Sequence, residues 1–234
     1  MRNIDILIGF EREINKLDNS LDKPTTDDSL YWLNQAVSKF VKTRFNGNLP
    51  HLTSYEQTEK RSKDLINLLV DKELPVEQDI HGIRPNYVTY HVQYPNDFMF
   101  ALNEDVMISD LSGDHKTMTS VFECTADSFM YRVTNSLTDF HYRHYKARPL
   151  RIRTMVDGSQ GCDLLTDGKY KILKYRLGYL RNPNKISLEK PLSEYSEFPE
   201  IIMPEIIKTA AQMYIENKSD QRYQTLSNEV NTQE

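Results

Sequence analysis

Apolar residues recur along the chain with two different periods. Ile4, Leu7, Phe10, Ile14, Leu17 and Leu21 are spaced by three and four, the pattern of one buried helical face. Leu30, Leu33, Val37, Phe40 and Val41 repeat it, widened by Trp32 and Ala36, and predict a second helix from about Asp27 to Phe45. Pro24 breaks the chain between them. Thr25 and Thr26 are candidate N-caps, and Asp27 and Asp28 suit the positive end of the helix dipole. Asn46-Gly47-Asn48 ends the run. A third helix is expected over Tyr55 to Lys72, polar in its first half (EQTEKRSKD) and apolar in its second (LINLLV).

After Pro75 the period falls to two. YVTYHVQY (87–94) alternates in the manner of a strand, and DVMISDL (105–111) and TMTSVFECT (117–125) follow it across Ser112-Gly113-Asp114. Asp127 to Leu137 predicts a short helix capped by Asp127, with Phe129, Met130, Val133 and Leu137 facing inward. Strands are expected again at PLRIRTMV (149–156), CDLL (162–165), YKILKYRLGYL (170–180) and KISL (185–188), with turn signals at Asp157-Gly158 and Asp167-Gly168. Pro199 and Pro204 fit only near a helix start. They predict a short turn and then a helix carrying Ile206, Ile207, Ala210, Met213 and Tyr214 on one side. Beyond Lys218 the chain is polar and has too few apolar residues to hold itself down.

These elements predict an α+β fold: N-terminal helices, a central mostly antiparallel β region with a short inserted helix, and a C-terminal helix with an extended tail. The expected segments are 1–74 (helical), 75–190 (β-rich) and 191–234 (C-terminal helix and tail), forming one compact domain whose tail is ordered by a partner.

Composition narrows the function classes. Hydrophobic residues are 38% and charged residues 27% of the 234, no apolar run approaches a membrane span, and no signal-peptide pattern opens the chain. A net charge of −5 argues against coating DNA by bulk charge. Two cysteines, Cys124 and Cys162, are too few for a disulfide framework or a thiolate zinc site, and their apolar contexts predict burial in a reducing cytoplasm.

Candidate chemistry is sparse. There is no glycine-rich phosphate loop and no HExxH. Gly158-Ser159-Gln160-Gly161 has the letters of a nucleophile elbow but sits between two expected strands, where an elbow needs a strand-to-helix turn. Asp105, Asp110 and Asp114 do not converge. His141 and His144, with Asp139 nearby, lack the further ligands a metal needs and sit among cations, so they are read as loop residues. The densest feature is HYRHYKARPLRIR (141–153). Leu150, Ile152, Thr154 and Val156 alternate with Arg151, Arg153 and Met155, which predicts a strand with its arginines on the outer, solvated face. Arg143, Lys146 and Arg148 precede it in a loop. With Tyr142 and Tyr145 interleaved, that loop is a candidate for phosphate contact or for a subunit interface.

Two stretches, KYRLGYLRNPNKISL (174–188) and SEFPEIIMPEIIKTAAQMYIENKSDQRYQT (196–225), resemble the C-terminal half of the head-to-tail connector, or ring, proteins of crAss-like bacteriophages. LYWLNQAVSKFVKTRF (30–45) is similar to that family's Leu-Asn-x-Ala helix ending in Arg-Phe. SYEQTEKRSKDLINLLV (54–70) is similar to its next helix, through Arg61 and Asp64-Leu65-Ile66, and residues 126–149 occupy the place of its short helix and basic loop. The chain departs from the family pattern at Met203 and Pro204 and at Asn182.

The resemblance implies a non-catalytic virion protein, made in the host bacterial cytoplasm, that forms a twelve-fold homo-oligomeric ring in the phage neck. Its partners would be the portal protein, neighbouring tail rings and packaged double-stranded DNA, touched without sequence specificity. No cofactor, metal or membrane is implied. Arg143, Lys146, Arg148, Arg151 and Arg153 become candidates for the subunit interface or the channel wall, with the interface favoured for the first three. Arg222, Tyr223 and Gln224 become candidates for a partner-contacting tail. The competing readings are a monomeric nucleic-acid-binding module built on 141–153 and a phage nuclease or hydrolase whose acidic residues converge only in the fold.

Overall fold

The computed structural model of the chain describes residues 1–17, 23–46, 59–79, 87–156 and 159–218. These residues form two compact units. One comprises Met1–Leu68 with the chain from Pro183 onward, and the other comprises Leu69–Asn182. The fold is α+β, with a C-terminal helix, and the sheets are mostly antiparallel.

The first unit is helical. Helices α1 (Asn3–Leu17), α2 (Thr26–Asn46) and α5 (Met203–Lys218) share one core, in which α5 packs on both of the others. The spacing of three and four explains the arrangement. Ile6, Phe10 and Ile14 from α1, Leu33, Val37 and Val41 from α2, and Ile206, Ala210 and Tyr214 from α5 are all buried. Gly9 lets α1 and α5 approach closely, since a Cβ there would stand 3.1 Å from Ile207 Cδ1. Thr25 caps α2 by accepting the Asp28 N–H on its hydroxyl at 3.2 Å. A 3-10 turn, Glu200–Ile202, follows Pro199 and leads directly into α5, with Pro204 in its first turn, where no backbone N–H is needed.

The expected third helix is corrected. Among the described residues it is a single short piece, α3 (Glu59–Asp64), followed by a 3-10 turn at Ile66–Leu68. The apolar half then runs as strand β1 (Leu69–Leu74). A six-residue antiparallel ladder from Leu69↔Leu180 to Leu74↔Tyr175 outweighs helical propensity. The strand's own period of two agrees, because Val70 and Leu74 join a core while Asp71 and Glu73 pair with Arg176 and Lys174 on the opposite face.

The second unit holds two sheets. One has the order β1, β9 (Tyr170–Arg181), β4 (Phe98–Asp110), β5 (Lys116–Ser120). The other has the order β2 (Glu77–Asp79), β3 (Val88–Gln93), β8 (Ser159–Thr166), β7 (Leu150–Val156), β6 (Phe122–Glu123), in which only the β6–β7 pair is parallel. A common core joins them: Tyr90, Val92, Cys162 and Leu164 from one sheet meet Val106, Ile108, Tyr175 and Leu177 from the other. Val121 is the corner at which the chain leaves β5 in one sheet and enters β6 in the other. Gly161 is dictated by its neighbour strand, since a Cβ there would lie 2.6 Å from the Val92 carbonyl oxygen.

Helix α4 (Ala126–Thr134) covers the other face of the second sheet, where Phe129 and Val133 pack with Cys124, Phe140, Leu150 and Leu165. Its residues correct the sequence in two ways. The cap is Thr125, whose backbone N–H donates to Ser128 Oγ at 3.2 Å, so Asp127 lies inside the first turn. Met130 and Leu137 are 63% and 82% exposed rather than inward.

KISL is not a strand. Ile186 is buried, but its N–H donates to Asn34 Oδ1 at 2.8 Å and its carbonyl accepts from Asn34 Nδ2 at 3.1 Å. One side-chain amide from α2 replaces the ladder that a strand neighbour would supply.

Candidate functional site

HYRHYKARPLRIR begins as a tight hairpin. The backbone groups of Arg143 and Lys146 exchange two hydrogen bonds of 2.9 Å, with His144 and Tyr145 at the tip. Both tip residues have positive φ, 48° and 62°, which is costly for side chains with a Cβ. Tyr145 is exposed, yet its ring lies 4.0 Å from that of His115 in the β4–β5 loop. Asp167 holds the base of the hairpin by accepting the Tyr142 N–H at 3.0 Å.

The cations of this stretch have separate local tasks. Arg143 donates to the Ser136 carbonyl. Arg148 reaches the sheet-switching corner, donating from Nε to the Ser120 carbonyl at 3.4 Å and from Nη2 to the Val121 carbonyl at 3.3 Å. Its guanidinium also lies over the Phe122 ring, 5.2 Å from the centroid. Arg153 is exposed and stands 4.0 Å from Glu123 Oε1. Lys146 is exposed and makes no ion pair among the described residues.

Arg151 corrects the sequence reading. It alternates as expected, but its side of β7 is the interior between the sheets, not solvent. The residue is 5% exposed, and its Nε stands 2.9 Å from Glu104 Oε2 on β4. Glu123 supplies a second carboxylate at 3.3 Å from Nη2. The alternation was legible, but the second sheet that covers the arginine face comes from a distant part of the chain. Arg151 is therefore buried within the unit rather than on its outer face. Arg222, Tyr223 and Gln224 lie outside the described residues.

The other candidate residues do not form a catalytic or metal constellation among the described residues. No group of three or more His, Cys, Asp or Glu is placed to hold a metal there. His141 Nδ1 is 4.0 Å from Asp167, Asp139 is exposed beside Arg148, and His144 is at the hairpin tip. Ser159 opens strand β8 and no helix follows it, so the elbow geometry is missing. Cys124 and Cys162 are buried free thiols, and burial raises the Cys162 thiol to about 11. No described helix is long and apolar enough to cross a membrane.

The motif residues carry structure instead, and sequence reasoning missed this. Arg44, at the end of α2, is bound on one side by Asp64 of α3 at 3.0 Å and on the other by Glu205 of α5 at 2.7 Å, while its guanidinium covers Phe40. Asn184 donates to the buried Glu197 at 2.9 Å, and the Tyr195 hydroxyl donates to the Asn184 carbonyl at 2.7 Å. Asn3 reaches the Ser187 carbonyl at 3.0 Å. Phe198 packs edge-on against Phe40 at 5.6 Å. The irregular segment 183–199 is thus fixed by side-chain hydrogen bonds and by backbone hydrogen bonds to the first residues of the chain, and some of its anchors, Asn184 and Glu197 among them, lie in the stretches that made the sequence recognisable.

Residues 18–196 match the profile of the family described as phage tail ring protein 3/4, of the crAss-like phages. No curated protein matches the chain.

Proposed function

The chain belongs to the crAss-like phage tail ring proteins, structural components of the virion, and from that premise we propose that it builds a ring in the phage neck. In this reading copies of the chain close into a twelve-fold homo-oligomer. The ring joins the portal to the neighbouring tail rings and continues the DNA channel between them. It is made in the host cytoplasm, carries no cofactor and catalyses nothing.

The observation that carries the structural reading is the fate of the basic stretch. A nucleic-acid reader needs free cations to neutralise phosphates. Here Arg151 is buried with Glu104, and Arg143 and Arg148 donate to backbone carbonyls. Arg143, Lys146 and Arg153 remain on the surface, and a carbonyl partner leaves a guanidinium its charge. Such a stretch supports weak contact that lets a genome slide past, and Lys146 is the residue to face either the channel or a neighbouring subunit.

Duplex-DNA binding by the full chain, measured against salt, tests this. The four unburied cations of the stretch, Arg143, Lys146, Arg148 and Arg153, predict a slope of log K against log salt no steeper than about −4. A slope beyond about −5 would favour a dedicated DNA-binding module.

A further inference from the structure

Beside the sheet-switching corner lies a pocket of about 240 Å³ whose walls include Phe122, Arg132, Leu137, Phe140, Arg148 and Leu150. Its lining combines apolar side chains with two guanidinium groups and one carboxylate, the exposed Asp139. The Arg132 guanidinium sits 4.1 Å from the centroid of the Phe122 ring, and Arg148 sits 5.2 Å from it. Arg132 has no carboxylate partner among the described residues, and the nearest carboxylate to Arg148 is the exposed Asp139 at 4.0 Å. Leu137 projects at the rim almost fully solvated. A guanidinium on an aromatic face, next to an uncovered leucine, suits an aliphatic side chain with a carboxylate beside it.

The helical unit presents that combination. Ile201 is 87% exposed, the most exposed large apolar residue described, and it follows Glu200 in the 3-10 turn ahead of α5. The Glu200 carboxylate is itself largely exposed and stands 3.8 Å from the Met1 amino group. A monomer gains nothing by solvating Ile201 and Leu137, and pairing them would remove both from water. A closed ring of identical subunits also requires two different, complementary surfaces on every copy.

We infer that the Glu200–Ile201 turn of one copy seats in the Phe122–Arg132–Arg148 pocket of the next, forming part of a head-to-tail subunit contact. Ile201 meets Leu137 and Phe122, and Glu200 faces Arg132. The inference rests on the ring reading above.

Phage particles carrying the full chain with Leu137→Cys and Ile201→Cys test it. Cys124 and Cys162 are buried and leave the background low. A short bismaleimide should link subunits into a covalent ladder extending past the dimer, and neither single variant should do so. Arg132→Glu should lower particle yield about tenfold, and adding Glu200→Arg should restore most of it. Electron microscopy of the same particles reports separately whether a ring of this chain is present. A ring with no ladder overturns the contact and leaves the ring reading intact. A link from the substituted position 137 to a protein of different mass overturns the choice of a second copy as occupant. Dimers in the Leu137→Cys single variant would mean a symmetric contact and would also overturn it.

Discussion

Arg151 of β7 and Glu104 of β4 form an ion pair across the interior of the two-sheet unit, 2.9 Å apart and both almost fully buried. Tyr94, Tyr175 and Cys162 belong to the same core. Removing one partner strands a charge in a medium that cannot solvate it. Arg151→Ala should cost about 3–5 kcal/mol, and Glu104→Ala less, because Glu123 still stands 3.3 Å from the guanidinium. Glu104→Leu with Arg151→Met in one chain should lose much less than the sum of the two single changes. Urea unfolding of the four proteins decides it, and additive losses would show that the pair is not coupled.

Asn34 supplies both hydrogen bonds of Ile186. Asn34→Ala leaves a buried N–H and carbonyl without partners, at about 1–3 kcal/mol for each group left unsatisfied. Hydrogen exchange should then show protection lost first over 183–199, ahead of the β-rich unit. Uniform loss throughout the chain would contradict a local role.

The helical faces were legible because a period of three or four needs no knowledge of the partner. Ile6, Phe10 and Ile14 are buried whatever covers them. Strand β4 was legible only from Asp105 onward, because register shifts near Phe98 and Ala101 break its alternation before that point. Leu69–Leu74 read as helix because its strand partner lies more than a hundred residues on, at Tyr175–Leu180. A long-range partner also hid the fate of Arg151: its alternation was visible, but Glu104 opposite was not. The motif residues Arg44, Asp64 and Asn34 stood out in the sequence, yet their roles depend on meeting Glu205 and Ile186 in space.

The cations of 141–153 should separate by task. Arg148→Ala removes two donors from the corner carbonyls and should destabilise by about 1–2 kcal/mol. Lys146→Ala should leave the thermal midpoint unchanged, since exposed residues without partners contribute little. Equal effects in thermal unfolding would return the stretch to an undifferentiated charged edge.

Alkaline pH should weaken the β-rich unit. Burial raises the Cys162 thiol from an ordinary 9.0 to about 11, and it also raises the hydroxyls of Tyr94 and Tyr175. Groups raised on folding stabilise the native state below the unfolded pKa and lose that contribution as pH climbs through the folded one. For Cys162 the window runs from 9 to 11, with a loss on the order of 3 kcal/mol by its end. The denaturant midpoint should therefore be lower at pH 10.5 than at pH 8. In the native protein at pH 8, thiol alkylation should be slow, because the thiolate is the reactive form. A midpoint that holds or rises would contradict the burial of these groups as the cause.

The claim that this chain closes into a ring around the genome path is tested most directly by an electron cryomicroscopy reconstruction of the intact virion neck. The account predicts density for twelve copies of the chain in one closed ring, stacked between the portal and the next tail ring, with DNA passing through its centre. Virions that lack the chain, or that hold it as isolated copies away from the central axis, would contradict it.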